Sequence, residues 1–212
     1  MVFVDAITGQ VIWAKFVKSE TNADYQEGLN YLESRGFEIL GVVSDGRRGL
    51  VRIFSKYPYQ ICQFHIQKGV SLLLTRNPKS DAGKDLKMLN DAFVKEKWTY
   101  IQFMEEIENY LKKHLDYLNE MSETNPDKHK HRRLRKALNK YNLNHKHMFS
   151  CQKDINLNYQ IPNTTNKIDG GVFSPMKKLL NNHSGTTKQR RKGLIIEFLN
   201  SRGKSITYTP TP

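Results

Sequence analysis

Short apolar runs alternate with one amphipathic stretch over the first 75 residues. Residues 2–4 and 10–17 are runs rich in Val, Ile, Phe and Trp, separated by Thr8-Gly9. Two such runs around a Gly-containing turn predict a β-hairpin. From 21 to 35 the apolar residues Tyr25, Leu29 and Leu32 recur at helical spacing. That predicts a helix, with Thr21 or Asn22 as its cap and Gly36 as its stop. Residues 37–43 lie between turn residues and predict a strand covered on both faces. Residues 46–55 predict a helix with Leu50, Ile53 and Phe54 on one side, ended by Tyr57-Pro58. A strand at 59–62 and a helix at 65–74 follow. Strand-helix-strand order favours a parallel sheet with right-handed crossovers.

The pattern changes at Arg76. Residues 77–83 read as a polar linker. Residues 84–121 are charged and largely helical, with Leu86, Leu89, Phe93, Trp98, Ile101, Met104, Ile107 and Leu111 near helical spacing. A break is expected at 95–99. The block "NPDKHKHRRLRKALNKY" follows, and after Asp127 its charge is of one sign. Most such runs are solvated helix faces. Leu134, Ala137 and Leu138 could also anchor this one as a helix facing phosphates. From 158 the chain is turn-rich up to Gly171 and helical after it. A last helix is predicted near 192–200, then a frayed tail. There is no internal repeat.

Charge narrows the partners. The chain has 212 residues, with 34 Lys and Arg against 21 Asp and Glu, a net charge of +13. That surplus suggests a polyanion, because each neutralised phosphate releases condensed counterions. The 2 cysteines argue against a disulfide framework and fit a reducing compartment. No apolar run reaches the roughly 20 residues that span a bilayer. The opening "MVFVDAITGQ" lacks the basic and apolar regions of a signal peptide. The expectation is a cytoplasmic protein with no membrane partner, nucleoid-associated if bacterial.

Three sets of residues could carry chemistry. Asp45 ends the most strand-like segment and precedes Gly46. A carboxylate at that edge of a parallel sheet can hold a hard divalent cation, or simply cap the next helix. Asp169 stands before Gly170-Gly171, a turn-forming context. Lys177 and Lys178 fall two turns later, where they could meet phosphates. Cys62 and His65, in "YQICQFH", have zinc-ligand spacing. A structural zinc needs four ligands, and the further donors His145, His147 and Cys151 lie about 80 residues on. A buried thiol is the ordinary reading of Cys62 in an apolar strand.

Taken in order, "VVSDGRRGL", "YPYQICQFH" and "IPNTTNKIDGGVFSPMKKLLNNHSG" resemble the Mutator-like and related bacterial insertion-sequence transposases. The likeness is spread over positions 41 to 185 of the 212. Each motif alone is weak, and three in order are fairly specific. The resemblance implies an α/β fold: a ribonuclease-H-like mixed sheet flanked by helices, with a helical insertion before the third acidic residue. It divides the chain into a first core part at 1–75, a helical basic insertion at 76–160, a second core part at 161–200 and a tail at 201–212.

The resemblance also implies a DDE enzyme that cleaves and transfers DNA strands in transposition of a mobile element. Asp45 matches the second acid. Asp169 stands where the family has glutamate, one methylene longer. Asp5 resembles an acid on the second strand, at the hairpin turn, and stands as first catalytic acid only if residues 2–5 are the first strand. The other expectation is that the first strand, with its Asp, is missing. Cys62, His65, Asn166 and His183 then wall the active site. Lys130, Arg132, Arg133, Arg135, Lys177 and Lys178 contact DNA at transposon ends and target. The implied cofactor is a pair of Mg²⁺ ions, or Mn²⁺, held by the carboxylates; Asp45 and Asp169 are the ligands named here. Without a first acid, the alternative is a catalytically inactive DNA-binding remnant. A missing strand would leave an open sheet edge, so self-association is expected.

Overall fold

The hairpin forms where the apolar runs place it. β1 (Val2–Val4) pairs antiparallel with β2 (Val11–Ala14), with Val2 opposite Ala14 and Phe3 opposite Trp13. Gly9 supplies the positive φ of 76° that the turn requires. Helix α1 (Asn22–Ser34) starts at a capping box. Thr21 Oγ1 accepts from the Asp24 amide at 3.2 Å, and the Asp24 carboxylate accepts from the Thr21 amide at 3.1 Å. Such a cap stabilises by about 1 kcal/mol. Gly36, at φ 75°, ends the helix.

A computed structural model describes residues 1–153 and 159–203. Further elements are β3 (Val42–Ser44), α2 (Leu50–Ile53), β4 (Tyr59–Ile61), α3 (Gln63–Ser71), α4 (Asp81–Lys95), α5 (Tyr100–Asn119) and α6 (Arg132–Met148). A 3₁₀ turn follows at Ser150–Gln152. Then come α7 (Asn166–Ile168), a π-turn at Asp169–Phe173, α8 (Ser174–Asn182) and α9 (Lys188–Asn200). The protein is mixed α/β.

Two expectations are corrected. The described residues form two separate two-stranded sheets, β1-β2 and β3-β4, where one mixed sheet was expected. The strand expected at 37–43 shrinks to Val42–Ser44. Its partner β4 is confined by Pro58, which lacks an N–H, and by Cys62, the N-cap of α3. An unpaired strand has no ladder to extend along. The helix expected at 46–55 shrinks to Leu50–Ile53, because Gly46 and Gly49 both take positive φ, 81° and 95°.

The chain forms two compact units. One comprises Met1–Val42, Arg47–Tyr57 and the described residues from Thr165 onward. In it the β1-β2 hairpin is covered on both faces. Val11, Ala14, Val172 and Leu199 form a buried cluster, with Val2 and Val4 packed on it. Phe3 turns to the other side, 5.0 Å from the Trp13 ring and 6.1 Å from Tyr25. Alternate residues of a strand face opposite sides, so one three-residue strand serves both layers. The tail does not begin at Ser201: Arg202 O accepts from the Val11 amide at 2.9 Å, and its guanidinium binds Gly171 O. The rest of the predicted tail lies outside the described residues.

The other unit comprises Val43–Gly46 and Pro58–Thr164, so β4 and α3 join the helical segment. Ser80 caps α4, and a Thr99–Gln102 capping box starts α5. The predicted break falls at 96–99, where Lys97 has φ 54°. Phe93, Phe103 and Tyr141 make the centre, with ring centroids 5.2 to 5.9 Å apart. Asn90 is fully buried and fully used. It accepts from Tyr141 Oη at 2.5 Å, and its amide donates to Ser71 Oγ at 2.9 Å. Buried polar groups are costly unless paired, so this network fixes how α3, α4 and α6 meet.

Gly28 tests the packing of the hairpin. A Cβ there would lie 2.7 Å from Phe3 Cε2 and 2.9 Å from Trp13 Cε3. Gly28→Val is expected to destabilise the chain by about 2 kcal/mol, since overpacking outweighs the gain in helix propensity. A urea midpoint equal to the parent's would contradict this packing.

Candidate functional site

Asp45 is exposed directly after β3, and Gly46 follows at φ 81°. The turn is tightly held. Ser44 Oγ accepts from the Gly46 amide at 3.1 Å and lies 2.5 Å from Tyr59 Oη. Burial pushes the Tyr59 phenol up and its hydrogen bond to Ser44 opposes this, while the Asp45 carboxylate raises it further. A Cβ on Gly46 would meet Ile61 Cγ2 at 2.9 Å. The Cys62 amide donates to Ser44 O at 2.7 Å, which sets the start of α3 beside the end of β3. Cys62 is buried, whereas His65, in the first turn of α3, is half-buried with its ring edge-on to Phe64 at 6.1 Å.

Two residues not singled out from sequence do more here. Gln60 and Gln63 are both buried. Their side-chain amides donate to the same carbonyl oxygen, that of Met148 at the end of α6, at 2.6 and 2.8 Å. Gln60 Oε1 accepts from the Cys151 amide at 2.8 Å, and Gln63 Oε1 accepts from Asn163 at 3.0 Å. The signal was two glutamines in an otherwise apolar strand-to-helix junction, since buried amides need partners.

The second half of the expected zinc set does reach this region: the His147 ring lies edge-on to Tyr59 at 5.7 Å. It is not assembled as a metal site. Among the described residues no group of three or more His, Cys, Asp or Glu side chains comes together to hold a metal ion. Burial pushes the Cys151 thiol up, away from the thiolate that zinc binds.

Asp169 lies in the other unit. It is exposed, and Thr165 Oγ1 donates to its carboxylate at 2.7 Å. With Phe173, Ser174 and Lys177 it lines a cleft of about 490 Å³. The π-turn that begins at Asp169 is a rare geometry often found at functional sites. Asn166 opens α7, and Lys178 is exposed on α8. His183 caps α8, its Nδ1 bonded to Leu179 O at 2.9 Å. Asp5 is engaged in the hairpin turn: its Oδ1 accepts from the Ile7 and Thr8 amides at 2.7 and 3.1 Å.

The cations expected to face DNA divide into two groups. Lys130 pairs with Glu120 at 3.2 Å, and the carboxyl of Glu120 is held low by His131 first and Lys130 next. Arg133 donates to Leu72 O at 3.1 Å. Arg135 donates to Leu118 O and Asn119 Oδ1 at 3.2 and 2.8 Å, closing the end of α5. Arg132 is exposed on α6, as is Lys136. A further basic set was missed. Lys188, Arg190, Arg191 and Lys192 are exposed in the first turns of α9. Cations are disfavoured at a helix N-terminus, so this run is not explained by helix stability. Its sequence signal was a Thr cap followed by "KQRRK".

No helix among the described residues is long and apolar enough to cross a membrane. Comparison with protein-family models, curated proteins and solved structures returns no match for this chain.

The double use of Met148 O gives a signed prediction. Gln60→Leu or Gln63→Leu alone leaves that carbonyl one donor, while the pair of changes orphans it. Each single change is expected to cost about 1–3 kcal/mol, and the double change more than the sum, by about 0.5 kcal/mol or more. Strict additivity in urea unfolding would contradict a shared acceptor.

Proposed function

We propose that this chain acts on DNA as transposase catalytic-domain sequence of the DDE type, with Asp45 and Asp169 as acids serving strand cleavage and transfer. The observation that carries the reading is the end of β3. An exposed Asp45 is followed by Gly46, with buried Cys62 and the start of α3 hydrogen-bonded alongside. This is the arrangement that the resemblance to insertion-sequence transposases calls for. The order hairpin, α1, β3, α2, β4, α3, then a helical segment before Asp169, also suits the proposed ribonuclease-H-like fold.

The metal fits in kind but not in number. Asp45 and Asp169 offer exposed carboxylate oxygens, the donors that Mg²⁺ or Mn²⁺ prefers. Among the described residues no group of three or more His, Cys, Asp or Glu side chains comes together to hold a metal ion. No catalytic step is therefore derived through the ion. What the chain's own residues supply is phosphate contact, from Arg132 and Lys136 on α6, Lys177 and Lys178 on α8, and the basic start of α9.

A second reading is DNA binding without cleavage. It is favoured by Asp5, whose carboxylate is already held by two turn amides. The experiment that separates the two is a plasmid-nicking assay with Mg²⁺ or Mn²⁺, alongside a gel-shift assay. The first reading expects metal-dependent nicks that fall at least a hundredfold in Asp45→Ala and Asp169→Ala, with DNA binding kept. Binding without nicking in either metal would replace it with the second. Nicking unchanged in Asp45→Ala would remove the role given to that residue.

A further inference from the structure

Helices α3 and α6 pack side by side, and neither carries an acidic residue. Gln63 at the start of α3 donates to Met148 O at the end of α6. Arg133 at the start of α6 donates to Leu72 O at the end of α3. The two helices therefore run antiparallel. Gly69 lies between those contacts. A Cβ there would sit 3.1 Å from Lys140 Nζ and 3.3 Å from its Cε, so the bare glycine makes room for the lysine stem. Lys140 is thereby held at the seam between the helices. Lys136, one turn earlier, is exposed. Among the described residues none of Lys68, Lys136 and Lys140 forms an ion pair.

The outward side of α3 continues this surface. Gln63, Ile66 and Val70 are buried, and Gln67 and Ser71 bond to Asn90 of α4. Outward of these, Phe64, Lys68 and Leu72 are exposed and spaced four apart, which makes them one row. Phe64 is 46% exposed and Leu72 71%. The row is about 12 Å long, and its Leu72 end meets α6 through Arg133. It begins two residues after Cys62, whose amide bonds to Ser44 O beside Asp45.

An aromatic ring thus stands in an acid-free field of unpaired lysines. The outside of a duplex offers phosphates but no base faces, so the ring gains nothing there. A strand with unpaired bases offers both, a base to stack on Phe64 and phosphates for Lys68, Lys136 and Lys140. The row has room for about three stacked nucleotides at roughly 3.4 Å each. An anionic lipid surface also combines charge with an apolar layer, but it suits a broad apolar face. Here single apolar residues stand on either side of a lysine.

We propose that the seam of α3 and α6 binds single-stranded DNA, with Phe64 as the stacking platform and the three lysines on the backbone. The proposal deepens the DNA reading and rests on it for the choice of DNA.

The test is fluorescence anisotropy of the full chain with labelled oligothymidylate and with a duplex of equal length. Phe64→Ala is expected to weaken oligothymidylate binding about tenfold and duplex binding by less than about twofold. Phe64→Trp should keep the affinity, and its added fluorescence should be quenched as the strand stacks. Lys68→Gln and Lys140→Gln should each make the salt slope for oligothymidylate shallower by about 0.7. Equal losses for strand and duplex, or no loss in Phe64→Ala, overturn the proposal while duplex binding keeps the DNA reading. Binding to neither overturns both. A Phe64→Ala loss on vesicles of equal parts phosphatidylserine and phosphatidylcholine, with none on oligothymidylate, assigns the surface to a membrane and overturns the proposal.

Discussion

One carbonyl oxygen, at the end of α6, ties together the parts that the functional reading needs. A helix leaves its last carbonyls without partners, and burial makes an unpaired one costly. Met148 O is satisfied twice, by Gln60 from β4 and by Gln63 from α3. Those donors bracket Ile61 and Cys62, the residues against which the Asp45 turn is built. The acidic strand end and the basic helix are thereby joined through one buried junction. Asn90 performs the same service further along, linking α3, α4 and α6.

Part of the basic charge holds the fold, and the proposed DNA contact rests on the remainder. Arg133 and Arg135 close the ends of α3 and α5, and Lys130 closes a loop onto Glu120. A guanidinium that donates to helix carbonyls has fewer N–H groups left for phosphate. Arg132, Lys136, the α8 lysines and Lys188, Arg190 and Arg191 at the start of α9 are exposed, while the Lys192 ammonium lies over the Phe16 ring at 5.8 Å. The net charge of +13 thus overstates the surface available to DNA. Its distribution over α6, α8 and α9 is the more informative quantity.

Elements with their own local signals were legible in the sequence. The capping box at Thr21, the glycine turns and the break at 96–99 are written in adjacent residues. So was the exposed carboxylate at the end of β3, because Ser44-Asp45-Gly46 is a strand end by composition. What depends on a distant partner was not. The lengths of β3 and β4 are set by what pairs with them, and no window along the chain contains that. Cys62 and His65 drew attention through chemical type, while Gln60 and Gln63 between them carry the junction. Their role needs Met148, Cys151 and Asn163, 85 to 100 residues away. Arg135 reads as a phosphate contact from its charge alone; that it also donates to Leu118 O and Asn119 Oδ1 on α5 depends on a distant partner in the same way.

The central claim is that this chain meets DNA through its phosphates. The salt dependence of its affinity for a linear duplex tests that most directly. The account predicts that log K falls steeply and linearly with log[salt], with a slope of about −4 or steeper, as several phosphates are neutralised. Replacing Arg132 and Lys136 with Ala should make the slope shallower by about 2. Binding that is absent at low salt, or that is insensitive to salt, would contradict it.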